Sequence, residues 1–150
     1  MTSAKRLSTL AAAGVAAAGC AAMMVVTGPG TADAATAPCS AAARACVDLS
    51  SQQAWLMRDG HVIYGPVSAR TGRPSFPTDP GTFHVSFKDR DHVSSVYHSP
   101  MPYSVFFNGG DAFHEGSLAV SSHGCVHLAR SAAITFYDNL HVGDEVQVVR

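Results

Sequence analysis

The sequence predicts a mostly β, single-domain fold of the β-sandwich or barrel-like type, with one short helix. From Cys46 onward, short runs of alternating apolar and polar residues are separated by turns rich in glycine and proline. Only residues 131–139 carry apolar side chains at helical spacing over a convincing length. No internal repeat or low-complexity linker follows Ala45, which favours one domain of ordinary size in this chain of 150 residues.

The predicted elements follow in chain order. Residues 46–49 and 53–58 form two short strands, and Asp59-Gly60 is a hairpin signal leading into a strand over residues 61–67. Turns at residues 71–74 and 77–81 precede an alternating strand over residues 82–87. The remaining predicted elements are strands over 93–97 and 103–107, the helix over 131–139 and a closing strand over 145–149.

The first 35 residues are predicted to be an export signal. Lys5 and Arg6 precede an uncharged, alanine-rich stretch, and residues 32–34 have the small-x-small pattern that a signal peptidase accepts. This pattern favours cleavage over a retained membrane helix, whereas Cys20 offers the alternative of a lipid anchor. We therefore expect a removed signal over 1–35, an N-terminal linker over 36–45 and the functional domain over 46–150, with membrane contact only through the signal or the anchor.

Composition excludes one class of partner, and the cysteines suggest a class of chemistry. A net charge of -1 and the lack of a basic stripe give no electrostatic reason to expect nucleic-acid binding.

Of the four cysteines, the signal removes Cys20, which leaves an odd number in an exported protein. Cys39 and Cys46 could close a small loop as a disulfide. Cys125 is then either a nucleophile or an inert buried thiol.

The residues around Cys125 favour the nucleophile. A thiol needs a cationic partner or donated hydrogen bonds to become a thiolate, and His114, His123 and His127 lie close to it in sequence. Backbone amides near Gly124 and Cys125 could stabilise an oxyanion, because no Cβ obstructs the backbone at the glycine. Thiol, base and backbone donors together are what acyl transfer through a thioester requires.

These residues also resemble a known family. Ser122-His123-Gly124-Cys125-Val126, followed by His127-Leu128, resembles the signature of the L,D-transpeptidase catalytic domain. The turns at 71–74 and 77–83, the segment 113–116 and the closing strand over 139–148 resemble the corresponding segments of that family, so that the resemblance covers residues 47–149.

The resemblance implies the roles of individual residues. Cys125 would be the nucleophile and His114 the general base, while His123 would help to shape the pocket. Ser122, Gly124 and His127 would form the oxyanion site and pocket, and proximity alone adds Tyr103, Phe106 and Asn108 as substrate-binding residues. Either Asp111 or Glu115, or equally a backbone carbonyl, would orient the His114 ring.

The resemblance also implies a reaction and a location. Cys125 would attack the carbonyl before the terminal D-alanine of a tetrapeptide stem in peptidoglycan, and the side-chain amine of a second stem would resolve the thioester into a 3→3 cross-link. No metal or organic cofactor is required. The protein would act as a monomer outside the cytoplasm at the bacterial cell wall, and β-lactams of the carbapenem type would acylate Cys125.

The chain departs from the family pattern at two points. His127 stands where many members have Arg or Asn, so a carboxylate-binding role there is in doubt, although a hydrogen bond to a loop carbonyl could survive. The spacing from His114 to Cys125 is short, which predicts a tight loop over residues 115–121.

Three other functions remain open. Water could resolve the same thioester, which would make the protein an L,D-carboxypeptidase. His123, Cys125 and His127 alternate and, with His114, could instead form a metal site. Finally, the chain could be an inactive wall-binding module with structural histidines. Trp55 is expected in the core or hairpin packing, and the remaining histidines (61, 84, 92, 98 and 141) at the surface or in turns.

Overall fold

A computed structural model describes residues 36–150, so the predicted export signal and Cys20 lie outside the described residues. The described part contains nine strands and one helix. The strands are β1 (Ala45–Asp48), β2 (Gln53–Arg58), β3 (His61–Arg70), β4 (Gly81–His84), β5 (Phe87–Val93), β6 (Pro100–Asn108), β7 (Asp111–Glu115), β8 (Val126–Leu128) and β9 (Glu145–Val149); the helix is α1 (Arg130–Asn139).

All nine strands belong to one sheet, in the order β4-β9-β1-β2-β3-β8-β7-β6-β5. Neighbouring strands are antiparallel except for the pairs β1–β9 and β7–β8. The sheet curls, so that strands far apart in this order come into contact. Phe83 of β4 packs against Phe107 of β6, with ring centroids 5.8 Å apart. The predicted mostly β, barrel-like fold with one short helix is confirmed.

The helix packs across the inside of the curled sheet. The Phe136 ring of α1 lies 5.0 Å from Phe113 of β7 and 6.3 Å from Tyr64 of β3, measured between centroids. These residues belong to one apolar cluster that includes side chains from most of the strands. Because β7 and β8 are anchored in this cluster, the segments that carry the candidate site are attached to the rigid core.

Several predicted elements match the structure and two do not. The hairpin at Asp59-Gly60 is present, with the positive φ at both residues that a tight turn of the right twist requires. The single strand predicted over 82–87 is wrong, because Val85 is a buried crossover between β4, which pairs with β9, and β5, which pairs with β6. The strand predicted over 93–97 is wrong as well. There the chain turns back on itself through a hydrogen bond from the His98 amide to the Ser94 carbonyl.

The segment predicted as a linker, residues 36–45, contacts the sheet. Its Ser40 exchanges hydrogen bonds with the Gln147 side chain of β9, at 2.9 Å through the Ser40 amide and 2.7 Å through its hydroxyl. The Cys39–Cys46 disulfide that the sequence suggested is present. It ties this segment to β1, and Ala43 of the segment and Ala45 at the start of β1 are fully buried. Trp55 is buried beside the disulfide, as expected of a core residue.

Within residues 36–150, no helix combines the length and the apolar character needed to cross a bilayer.

Candidate active site

A cleft of about 680 Å³ opens beside the part of the sheet that is formed by β5, β6, β7 and β8. Its floor includes Met101 and Phe106 of β6, and its walls are two loops, residues 94–99 and residues 116–123. The second wall contains the tight loop that the short spacing predicted. Val96 and Val120, at the rims of the two loops, are exposed to solvent. Cys125, His114 and His127 all line this cleft.

The parallel pairing of β7 and β8 brings the thiol and the histidine together. Phe113 lies opposite Val126 and His114 lies opposite His127 in this register. Phe113 and Val126 are both fully buried in the main core. Because side chains alternate along a strand, His114, His127 and Cys125 emerge on the opposite face, which is the cleft.

His114 is held as a neutral imidazole with one nitrogen free. Its Nδ1–H donates to the carbonyl oxygen of Glu115 at 2.7 Å, which leaves Nε2 unprotonated and able to accept a proton. Burial lowers the pKa of His114 to about 4; the hydrogen bond to Glu115 opposes this shift, and nearby His127 and His92 add to it. The sequence offered Asp111, Glu115 or a backbone carbonyl as the group that orients the His114 ring, and the structure shows the backbone carbonyl. The Glu115 carboxylate instead pairs with Arg130, at 2.8 Å.

Cys125 is the one free cysteine in the described part of the chain. Burial raises the pKa of its thiol to about 11; a backbone hydrogen bond at Ala112 lowers it and the Asp111 carboxylate raises it further. The Sγ–H donates to the Gly110 carbonyl oxygen at 3.7 Å, within range for sulfur. The resting site therefore holds a neutral thiol and a neutral imidazole. In such a pair, the thiol loses its proton to the histidine only as it attacks.

The segment before Cys125 is fixed to the turn over residues 71–78. The Thr78 hydroxyl accepts a hydrogen bond from the Gly72 amide at 2.9 Å and donates to the Gly124 carbonyl oxygen at 2.6 Å. Thr78 is only 2% exposed. A Cβ at Gly72 would lie 2.2 Å from the Phe76 carbonyl oxygen, so the close approach of this turn requires glycine.

Ser122 and Gly124 form the turn that presents the thiol. The Ser122 hydroxyl donates to the Cys125 carbonyl and accepts the Gly124 amide at 3.1 Å. The Gly124 amide, expected from the sequence as an oxyanion donor, is therefore already engaged, and the Cys125 amide is the candidate that remains. Gly124 adopts a φ of 120°, and a Cβ there would lie 2.2 Å from Asp111 Oδ1.

His123 and His127 support the walls of the cleft. The His123 ring lies between those of Tyr97 and Phe76, with centroid distances of 4.2 and 5.2 Å. His127 Nδ1 donates to the Ser117 carbonyl oxygen at 2.9 Å, which is the hydrogen bond to a loop carbonyl that a histidine can form at this position. Its ring centroid is 4.9 Å from that of His114.

The three residues that were expected to bind substrate, because they lie close to the site in the sequence, have different positions in the structure. Phe106 lines the cleft, and Asn108 donates a long hydrogen bond of 3.5 Å to Asp111 Oδ2. Tyr103 does not line the cleft. It belongs to the main core and packs against Tyr137 of α1, with centroids 6.0 Å apart. Tyr103 and Phe106 lie on opposite faces of β6, which is the reason for this difference.

Sequence reasoning missed two residues of the cleft and one that supports it. His92, expected at the surface, lines the cleft because it lies opposite Met101 in the β5–β6 pair. The sequence suggests Asp111 only as a partner of His114, and Thr78 only as part of a turn. Their positions depend on long-range pairing, for which the local sequence carries no signal.

The arrangement does not favour the metal alternative. The His123 ring stacks on aromatic side chains, whereas His114 and His127 each use Nδ1 on a backbone carbonyl. Among residues 36–150, no group of three or more His, Cys, Asp or Glu side chains is placed to hold a metal ion.

Comparison with known proteins points to one family. The YkuD family model, described as the L,D-transpeptidase catalytic domain, matches residues 42–148. L,D-transpeptidase 1 of Mycobacterium tuberculosis is 28% identical, and the match covers 67% of this chain and 48% of that protein. The chain thus spans about half the length of the curated relatives it matches.

Solved structures agree with this match. A crystal structure of an L,D-transpeptidase from Stackebrandtia nassauensis is 36% identical, with a TM-score of 0.68, and the match covers 71% of this chain and 54% of that one. L,D-transpeptidase 3 from Mycobacterium tuberculosis, in complex with a faropenem-derived adduct, is 25% identical, with a TM-score of 0.66 and coverage of 73% and 60%.

Proposed function

The chain belongs to the family of L,D-transpeptidase catalytic domains, and from this premise we propose that it is an exported enzyme that forms 3→3 cross-links in bacterial peptidoglycan. The observation that carries the proposal is the pairing of β7 with β8. It brings the free thiol of Cys125 into the same cleft as His114, whose Nε2 is available to accept a proton. Family membership supports acyl transfer by a cysteine, and this pair supplies the two groups that the reaction needs.

In the first half-reaction, Cys125 Sγ attacks the carbonyl carbon that precedes the terminal D-alanine of a tetrapeptide stem. A carbon–sulfur bond forms, and the thiol proton moves to His114 Nε2. The carbon–nitrogen bond then breaks, and His114 returns the proton to the leaving amino group of D-alanine. The Cys125 amide stabilises the developing oxyanion, because the Gly124 amide is held by Ser122.

In the second half-reaction, the side-chain amine of another stem attacks the thioester carbon. The new carbon–nitrogen bond replaces the carbon–sulfur bond, and a proton passes from the amine through His114 to the sulfur of Cys125. These steps use only side chains and amides of this chain. The His127–Ser117 hydrogen bond and the stacking of His123 on Tyr97 hold the two loops against the stem.

The same thiol should react with β-lactams of the carbapenem type and with the related penems. The faropenem-derived adduct on the relative from Mycobacterium tuberculosis supports this extension. A β-lactam carbonyl carbon in the cleft would occupy the position of the stem carbonyl, and ring opening would leave an acyl group on Cys125 Sγ.

Incubation with a tetrapeptide stem tests the proposed reaction. We expect the protein from residue 36 onward to release D-alanine and to form a product with the mass of two joined stems, whereas Cys125→Ala should do neither. Mass spectrometry of the products measures both events. Release of D-alanine without a joined product would contradict cross-linking and indicate a carboxypeptidase, and equal release by Cys125→Ala would contradict the proposed nucleophile.

A further inference from the structure

Asp111 has a carboxylate in the cleft for which the proposed mechanism has no use. It begins β7, is half-buried and lines the cleft. It does not orient His114, because the Glu115 carbonyl does so. Its one described hydrogen bond is the long one from Asn108, and no Lys, Arg or His of residues 36–150 forms an ion pair with it.

The cleft offers this carboxylate no compensating charge. Asp111 is the only Asp, Glu, Lys or Arg among the described residues that line the cleft. Burial raises its pKa to about 6, and the negative charge of Asp79 contributes to the same shift, opposed by Asn108. A half-buried carboxylate beside another carboxylate is costly unless a ligand compensates it. The ligand complementary to this position carries a positive charge or several N–H donors.

The carboxylate lies beside the nucleophile. Its Oδ1 is 2.2 Å from the point where a Cβ of Gly124 would be, so it packs directly against the backbone that precedes Cys125. Its charge also contributes to the raised pKa of the Cys125 thiol. A cation held by Asp111 would therefore lie next to the acyl group of a Cys125 thioester. Four histidines line the same cleft, at positions 92, 114, 123 and 127, and the Asp79 carboxylate also acts on Asp111.

We propose that Asp111 binds the side-chain ammonium of the acceptor stem and thereby favours aminolysis of the thioester over hydrolysis. This inference rests on the proposed transpeptidase function. The bound ammonium loses one proton to solvent through the open cleft, while Asp111 accepts a hydrogen bond from a remaining N–H. The neutral amine then attacks, its nitrogen bonds to the acyl carbon, and its second proton passes through His114 to the departing sulfur of Cys125.

The partition of the acyl-enzyme between amine and water tests this role. Wild-type protein and Asp111→Asn are acylated with a tetrapeptide stem and offered Nα-acetyl-lysine amide, whose side chain is an ammonium, or hydroxylamine, which is uncharged at neutral pH. We expect Asp111→Asn to lower the ratio of aminolysis to hydrolysis about tenfold with the lysine derivative, the effect of losing a hydrogen bond to a charged group. With hydroxylamine the ratio should stay within about twofold.

Asp91→Asn is the matched control, because it removes the same charge from an exposed position of β5 outside the cleft, and it should keep both wild-type ratios. An unchanged ratio with the lysine derivative in Asp111→Asn would overturn the inference and leave the proposed function standing. An equal fall with hydroxylamine would overturn it too, since it would show a general distortion of the site. A wild-type protein that forms no acyl-enzyme would overturn both proposals.

Discussion

Replacement of His114 by asparagine is expected to slow acylation of Cys125 by about 10²- to 10⁴-fold, the usual contribution of a general base. The amide nitrogen of the introduced asparagine would occupy the position of Nδ1 and keep the hydrogen bond to the Glu115 carbonyl, while the proton-accepting Nε2 is lost. The rate of adduct formation with a penem, followed by intact-protein mass spectrometry, measures the effect.

The pH dependence separates loss of the base from loss of structure. In the wild type, the pKa of His114 is about 4 and that of Cys125 about 11, so both groups are neutral between these values. Because the pKa of the neighbouring Asp111 carboxyl is about 6, the acylation rate should vary little once that group is ionised, from about pH 7 to about pH 9. Below about pH 4 the rate should fall as Nε2 becomes protonated. Without the base, His114→Asn must react through the thiolate that hydroxide generates, and its rate should rise about tenfold per pH unit.

His61→Asn is the control for this series, because it makes the same substitution at an exposed position of β3 outside the cleft. Its rate and pH profile should match those of the wild type. A flat profile in His114→Asn, or a rate within a few-fold of the wild type, would show that another group takes the thiol proton.

Replacement of Thr78 by valine should destabilise the domain by about 2–4 kcal/mol, because it leaves two buried backbone groups without partners. Valine has nearly the shape of threonine but can neither accept the Gly72 amide nor donate to the Gly124 carbonyl. Gly124 directly precedes Cys125, so a displacement of this turn should also slow acylation. Urea unfolding measures the free energy of unfolding, and adduct formation measures the effect on the site.

Two further variants distinguish the hydroxyl from the rest of the side chain. Thr78→Ser keeps the hydroxyl and should recover most of the free energy of unfolding and of the acylation rate. Thr82→Val makes the same substitution at an exposed position of β4 and should change neither quantity appreciably. If Thr78→Val unfolds at the same urea concentration as the wild type, the relay from Gly72 to Gly124 does not stabilise the domain.

The sequence could predict the fold class and the pair of catalytic candidates because their signals are local. The alternation of apolar and polar residues predicts both ends of β2 and β9 correctly. The Ser-His-Gly-Cys segment indicates Cys125 as the candidate nucleophile, with three histidines near it in the sequence. The sequence does not predict the neighbouring β7 and β8, because apolar and polar residues do not alternate along β7 and because the three residues of β8 are too few for a periodic pattern. The parallel contact between them nevertheless determines which histidine accompanies the thiol.

Long-range pairing explains what the sequence could not show. His92 enters the cleft only because β5 pairs with β6, and Asp111 meets Gly124 only because β7 pairs with β8. Proximity in sequence misplaced Tyr103, which faces α1 from the opposite side of the strand that bears Phe106. A positive φ of 59° at Tyr103 also interrupts the regular alternation on which such an assignment depends.

Peptide mapping after treatment with a penem or carbapenem tests whether Cys125, a neutral thiol in the resting protein, becomes the nucleophile in the cleft. The protein is incubated with the β-lactam at neutral pH, digested, and analysed by tandem mass spectrometry. We expect one acyl adduct, on the peptide that contains Cys125, and none in Cys125→Ala. An adduct on another residue, or an unmodified wild-type protein whose fold is intact, would contradict it.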